Sequence, residues 1–247
     1  MTLRAAVFAS GSGSNFQVLT ERARGMGDGG GAGAGAAPDG DTRGPSRDPV
    51  PPWDVALLIS DKDDARALER ARTLEVPSQV VPVAGRSMDE VGRELLAALN
   101  EAEVDLVLLA GYLRLVPPEV VRAYRGRMLN VHPALLPAFG GQGMYGIRVH
   151  RAVLEAGVRV TGTTVHFVDE EYDRGPILAQ WPVPVLAGDT PESLAKRVGR
   201  VEHRLYPAAV ESVVRALAAG AEPEPLPRAN AAGPGEHFRL DPELPEP

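Results

Sequence analysis

The chain predicts a single Rossmann-like α/β domain. Its sheet is mostly parallel and twisted, with helices on both faces and an antiparallel addition in the C-terminal half. Three observations predict this. Short apolar runs at residues 4–9, 55–60 and 104–109 alternate with helical stretches, and strands this apolar imply a parallel sheet covered on both faces. The segment Ser10-Gly11-Ser12-Gly13-Ser14-Asn15 follows the first run and opens a helix. From about residue 159 to 168 the pattern turns to alternation, with Thr163, Val165 and Phe167 on one face, which suits an antiparallel or mixed extension of the sheet.

The elements follow in order. After the strand at 4–9, a helix is expected to about Arg24. Residues 25–52 then form a segment of 28 residues with nine glycines and five prolines. Such a composition cannot bury enough surface to offset its ordering entropy, so the segment reads as a flexible insertion. The strand at 55–60 is followed by a helix expected over 63–74. Residues 79–83 make a poorer strand, placed at an edge by Pro82. Ser87 and Glu90 stand at capping-box spacing and open a helix to about Glu101. A strand at 104–109 ends in Ala110-Gly111. A short strand at 128–131 stops at Pro133. An extended run at 177–185 is broken by Pro182 and Pro184. Thr190-Pro191-Glu192 starts a last helix, which passes Tyr206, has Pro207 as its expected bend, and ends near Ala219. Residues 1–219 thus form the domain, and the Pro/Glu-rich residues 220–247 form a loosely packed tail.

Composition excludes several function classes. The net charge of -7 argues against broad contact with nucleic acid. The absence of cysteine removes disulfides, thiolate metal sites and a Cys nucleophile. No signal peptide or apolar run of membrane length is seen, so a soluble, cytoplasmic protein without a membrane partner is expected. His150, His203 and His237 show no metal-ligand spacing, and no metal is expected.

The most informative segment is Leu129-Asn130-Val131-His132-Pro133. Side chains alternate along a strand, so Asn130 and His132 point the same way at a strand end. Together they can grip one carbonyl oxygen, and His132 can pass a proton. The Gly/Ser segment offers free N–H groups and the positive end of a helix dipole to an anion. Phe16 stands where a dinucleotide fingerprint needs glycine, and no Gly-Lys-Ser/Thr follows, so a monophosphate fits better. Both features lie at the carboxyl ends of strands, where they can share one cleft. A third feature is the acidic loop at 169–173 before Gly175-Pro176. There Asp173 is placed to reach back to an imidazole and raise its pKa, whereas Asp169, Glu170 and Glu171 are expected to be simply solvated. His166 reads as easily as a satisfied core histidine.

Four motifs in order carry a resemblance: S-G-S-G-S-N near the N-terminus, L-A-G-Y-L-R-L-V at 109–116, L-N-V-H-P-A-L-L-P at 129–137 and H-F-V-D-E-E-Y-D-R-G-P at 166–176. Together they closely resemble the phosphoribosylglycinamide (GAR) formyltransferases, over about residues 3–215. The resemblance implies formyl transfer from the co-substrate 10-formyltetrahydrofolate to the amine of GAR, in purine synthesis. It implies Asn130, His132 and Asp173 as the catalytic trio. Gly13, Ser14 and Asn15 would hold the GAR phosphate, with Gly11 and Ser12 shaping the loop and Glu202 binding the ribonucleotide. Leu113, Arg114, Leu115 and Val116 would border the folate, with Asn130 beside it, and Arg86 would serve its glutamate tail. Departures from the family pattern are Gly85-Arg86-Ser87-Met88, where Ser-Arg-Glu is usual, and the longer loop at 139–146. A monomer or homodimer is expected.

Three other readings compete with this one. Formyltetrahydrofolate deformylase shares the trio but carries a regulatory domain ahead of the loop, for which a first strand at Leu3 is expected to leave no room. Methionyl-tRNA formyltransferase lacks the Gly/Ser loop and has a C-terminal tRNA-binding domain, for which this tail is too short and acidic. A non-catalytic folate or nucleotide binder would need a defective trio.

Overall fold

The structure, a computed structural model, describes residues 2–26 and 50–223. Most of the 25–52 insertion and residues 224–247 of the tail lie outside the described residues. The chain runs β1 (Leu3–Phe8), α1 (Ser14–Ala23), β2 (Trp53–Ser60), α2 (Arg66–Thr73), β3 (Ser78–Val80), α3 (Met88–Glu101) and β4 (Leu106–Leu109). It continues through α4 (Pro118–Ala123), β5 (Met128–His132), α5 (Ile147–Glu155), β6 (Val160–Phe167), β7 (Ile177–Pro184) and α6 (Pro191–Ala218).

The strands form one seven-stranded sheet in the order β3-β2-β1-β4-β5-β6-β7. Pairing is parallel from β3 through β5, and antiparallel between β5 and β6 and between β6 and β7. This is the expected α/β class, including its antiparallel C-terminal part.

The pleat explains why the central strands read as continuous apolar runs. Ala5 and Val7 of β1 pack on one face with Phe16 and Leu19 of α1 and with Tyr206 and Val210 of α6. Ala6 and Phe8 pack on the other face with Leu95 and Leu99 of α3 and Val120 of α4. Each position in turn therefore meets helix rather than water. Fully burying a side chain such as Phe8 or Leu58 is worth about 1.5–3 kcal/mol.

Several local expectations shift. Helix α2 starts at Arg66 because Asp63 and Asp64 form a turn ahead of its N-cap, Ala65. Strand β3 is an edge strand as expected, but it ends before Pro82. Helices α4 and α5 were not anticipated. The first is short and enters on Pro117-Pro118, and the second follows a run of glycines. The Ser87–Glu90 box is present, with Glu90 N–H donating to Ser87 Oγ at 3.3 Å and Ser87 N–H to Glu90 Oε2 at 3.0 Å. Helix α6 runs unbroken through Pro207. Among the described residues no helix is long and apolar enough to cross a membrane.

Strand β7 also runs on through Pro182 and Pro184, which were expected to break it. Val185 N–H donates to Arg159 O at 2.9 Å, so the odd-numbered residues of this stretch turn their N–H groups toward β6. The prolines occupy the even positions, on the free side of an edge strand, where no ladder donor is lost.

Tyr206 ties α6 to the middle of the sheet. Its buried hydroxyl donates to the carbonyls of Leu109 at 3.1 Å and Leu129 at 3.2 Å, which end β4 and precede Asn130 in β5. Tyr206→Phe should lower stability by about 1–3 kcal/mol, because two buried carbonyls lose their shared donor. The urea midpoint measures this, and an unchanged midpoint would show that the hydroxyl carries no tie.

Candidate active site

Strand β5 delivers Asn130 and His132 to the same face, while Leu129 and Val131 go into the opposite core. Strand β6 runs back beside it with Asn130 opposite His166 and His132 opposite Thr164. The turn after His132 is pinned from β6 and β7. Thr164 Oγ1 donates to Ala134 O at 2.7 Å and accepts from Leu136 N–H at 3.0 Å, and Gln180 Nε2 donates to Leu136 O at 2.9 Å.

The acidic loop after β6 folds back onto this face. Phe167 N–H donates to Pro176 O at 2.8 Å, and a Cβ on Gly175 would stand 1.8 Å from Phe167 O. Only glycine permits that approach. It brings Asp173 to 3.6 Å from His132 Nδ1 and 3.6 Å from His166 Nε2. Asp173 holds φ 55, a left-handed conformation that costs a residue with a side chain on the order of 1 kcal/mol or more.

A second loop closes over the pair. His132 Nε2 lies 2.8 Å from Phe139 O, and a carbonyl only accepts, so Nε2 carries the proton. Neutral His132 therefore turns a lone pair at Nδ1 toward Asp173. Gly141 N–H donates to Asp173 Oδ2 at 2.8 Å. His166 Nδ1 likewise donates to Phe167 O at 2.8 Å, which leaves Nε2 to accept from Asn130 Nδ2 at 3.0 Å. The other N–H of Asn130 reaches Asp173 Oδ1 at 3.4 Å, the weaker of the two contacts.

The electrostatics correct one expectation. Asp173 does push the His132 pKa upward, but burial pushes it down harder, and the imidazole ends below its ordinary value. The side chain is only 4% exposed, so the charged form loses more hydration than one carboxylate restores. Burial also raises Asp173, but contact with His166, the charge of His132 and the Gly141 N–H outweigh it, and Asp173 stays below the usual carboxylate range. His150 on α5, behind His132, is lowered to about 4 by burial and by the neighbouring His132.

Asn130, His132 and Asp173 line one cavity of about 380 Å³. Leu113, Arg114, Leu115 and Val116 form another wall, where Leu113 N–H donates to Ser10 Oγ at 2.9 Å. Arg114 Nε donates to Asp61 Oδ2 at 2.8 Å, and the Asp61 side chain is fully buried. Met144 and Tyr145 of the long loop and Arg148 of α5 also line it, with Tyr112, Tyr172 and His166. Among the described residues no group of three or more His, Asp or Glu side chains could hold a metal ion.

Other expected residues stand apart from this cavity. Gly11, Ser12, Gly13, Ser14 and Asn15 do not line it, so the two features expected to share a cleft are neighbours joined through Ser10. Asn15 Nδ2 does meet Glu202 Oε2, at 2.9 Å. Burial raises the Glu202 pKa, offset in part by that bond. Arg86 is held by Glu94 at 2.7 Å and by Pro82 O at 3.1 Å, away from the cavity, because the Ser87 cap leaves it on the outer side of the α3 start. The sequence gives no site role to Tyr112, Tyr172 or Arg148, and it leaves His166 readable as a core histidine. His166 could have been found only from the β5–β6 register, which no periodicity supplies.

The comparisons fit this geometry. The formyl transferase family is matched over residues 46–210. The chloroplastic phosphoribosylglycinamide formyltransferase of Arabidopsis thaliana is 49% identical over 203 residues, covering 81% of this chain and 62% of that protein. This chain spans about three fifths of the length of that relative and of its Vigna unguiculata counterpart. The phosphoribosylglycinamide formyltransferase of Bacillus subtilis is 34% identical, covering 85% of this chain and 93% of that protein. Among solved structures, glycinamide ribonucleotide transformylase 1 from Symbiobacterium toebii superimposes with a TM-score of 0.71 at 39% identity, covering 87% of this chain and 88% of that one. With a match across more than half of its length and a fold shared with these enzymes, the chain belongs to the formyl transferase family.

Proposed function

We propose that this chain transfers the formyl group of 10-formyltetrahydrofolate to the amine of GAR, giving formyl-GAR for purine synthesis. The observation that carries the reading is the convergence of Asn130, His132 and Asp173 on one wall of a half-apolar cavity. The domain over residues 1–219 would act in the cytoplasm on these two small molecules, as a monomer or homodimer, without metal, nucleic acid or membrane. Tyr112, Met144 and Tyr172 offer flat and apolar surface for the folate ring, bordered by backbone groups at 113–116. The phosphate would sit at Gly11, Ser12, Gly13, Ser14 and Asn15, and Glu202 would face the ribose.

In this mechanism His132 enters neutral, as its burial favours. The GAR amine attacks the formyl carbon, the carbonyl electron pair becomes an oxyanion, and the proton released from nitrogen passes to Nδ1 of His132. The new imidazolium is balanced by Asp173, and Asn130 donates to the oxyanion in exchange for its long contact with Asp173. Collapse breaks the bond to the folate nitrogen, which takes up a proton. For the Nε2–H of His132 to donate to the oxyanion, the Phe139 carbonyl must yield its hydrogen bond.

The direct test is loss of the formyl group from 10-formyltetrahydrofolate with and without GAR. GAR-dependent loss with formyl-GAR as product is expected, and equal loss without GAR, releasing formate, would make the protein a hydrolase. Asn130→Ala and His132→Ala should each lower turnover by about 100- to 1,000-fold; near-normal rates in both would remove them from the mechanism.

The pH profile tests Asp173. A base acts when deprotonated, and His132 lies below its ordinary value of 6.5, so the acid limb of turnover should fall below that pH. Asp173→Asn removes the contribution that raises His132, so the limb should move lower still while the plateau drops. A limb displaced to higher pH would contradict the assignment.

A further inference from the structure

The loop at 11–15 contains no basic side chain, and the nearest acid, Glu202, is bonded to Asn15. A phosphate dianion there needs both directed donors and a source of positive charge. Both trace to α2. Ala67 N–H donates to Gly11 O at 3.0 Å, and Arg70 Nε donates to Ser12 O at 2.8 Å. In a planar trans peptide the carbonyl and the next N–H point in opposite directions. With the carbonyls of Gly11 and Ser12 drawn toward α2, the N–H groups of Ser12 and Gly13 must face away from it. Neither has a protein acceptor among the described residues. Gly13 sits in the left-handed region at φ 71, and a Cβ there would lie 2.7 Å from Ala67 Cα, so the loop is seated tightly on the helix. Consecutive N–H groups arranged in this way form an anion-binding concavity.

A second observation points to a ligand at the same place. Asn15 is 9% exposed, and its Oδ1 is buried without a hydrogen-bond partner while its Nδ2 is engaged by Glu202. A ribose hydroxyl or a protonated phosphate oxygen would satisfy that acceptor.

Arg70 is itself held in place. Gln17 donates from Nε2 to Glu21 Oε1 at 2.7 Å, which turns Gln17 Oε1 toward the Arg70 Nη1 that bonds it. The guanidinium makes no ion pair among the described residues. Burial lowers the pKa of His203 on α6, beside Glu202, and the charge of Arg70 adds to that shift. The charge of Arg70 therefore stands behind the loop, on its α2 side.

We propose that Arg70 is the positioning residue of the phosphate site: by holding the Ser12 carbonyl it aims the loop N–H groups at the phosphate and supplies the charge that the loop lacks. This rests on the reading of the 11–15 loop as the GAR phosphate site. Arg70→Ala should raise KM for GAR by about 10- to 100-fold, as expected for loss of a charge-assisted hydrogen bond. The value of kcat and KM for 10-formyltetrahydrofolate should stay within about twofold. Arg70→Lys, which keeps the charge and one donor, should recover most of the loss. Inorganic phosphate should bind the wild-type chain by calorimetry and bind Arg70→Ala more weakly by a similar factor. Should Arg70→Ala fail to fold, Arg70→Gln provides the same comparison. Equal movement of both KM values, or equal phosphate binding in wild type and variant, would overturn the proposal. A wild-type chain without GAR-dependent turnover whose phosphate binding still weakens in Arg70→Ala would overturn the formyltransferase reading and keep the role of Arg70.

Discussion

The register between β5 and β6 is the constraint on which the rest of the site depends. Strand β5 is where the sheet reverses, hydrogen-bonded in parallel to β4 and antiparallel to β6. Asn130 faces His166 across that seam, and both project onto the face over which the Asp173 loop folds. A slip of one residue would send His166 into the core and carry Val165 out of it. Three things resist the slip: the packing of Val165 and Phe167 in the core, the hydroxyl of Thr164 locked onto the Ala134 turn, and the Tyr206 tie behind Leu129. The geometry of the Asn130, His166 and Asp173 cluster is thus fixed by apolar packing and by neutral hydrogen bonds outside the cluster itself.

Burial and charge compete at His132, and their relative size decides the chemistry. A single carboxylate at 3.6 Å does not compensate an imidazole whose side chain is almost wholly enclosed. A histidine held neutral is suited to receive a proton, and the same Asp173 then lowers the energy of the cation once it forms. Two residues with side chains, Phe139 and Asp173, adopt positive φ on either side of this pair. Their backbone strain is sustained by the contacts it permits, namely the Phe139 carbonyl on His132 and the Gly141 N–H on Asp173.

Much of this was legible in the sequence, for reasons that differ by element. The buried strands announce themselves because apolar residues must occupy every position between two helical layers. The Ser87 and Thr190 helix starts are readable because capping is local. Asn130 and His132 share a direction by strand parity alone. What escaped depends on distance in the chain. His166 gains its place from pairing 36 residues away, and Arg70 from contact with a loop 58 residues earlier. The direction of Arg86 is set by Glu94 on the following helix, a contact that no local pattern reports. The sign of the His132 shift depends on how deeply it is enclosed, which periodicity does not report.

The two prolines of β7 bear on what the sheet can do at its outer margin. An unpaired strand normally offers a ladder of donors to any other extended chain, the geometry through which sheets of separate molecules fuse. Along this margin the outward amide hydrogens at positions 182 and 184 do not exist, and Trp181, immediately before the first of them, is 52% exposed. An apolar side chain that would invite contact is thus followed directly by backbone that cannot zip. The sheet can carry an exposed indole at its rim and still be closed to further strands.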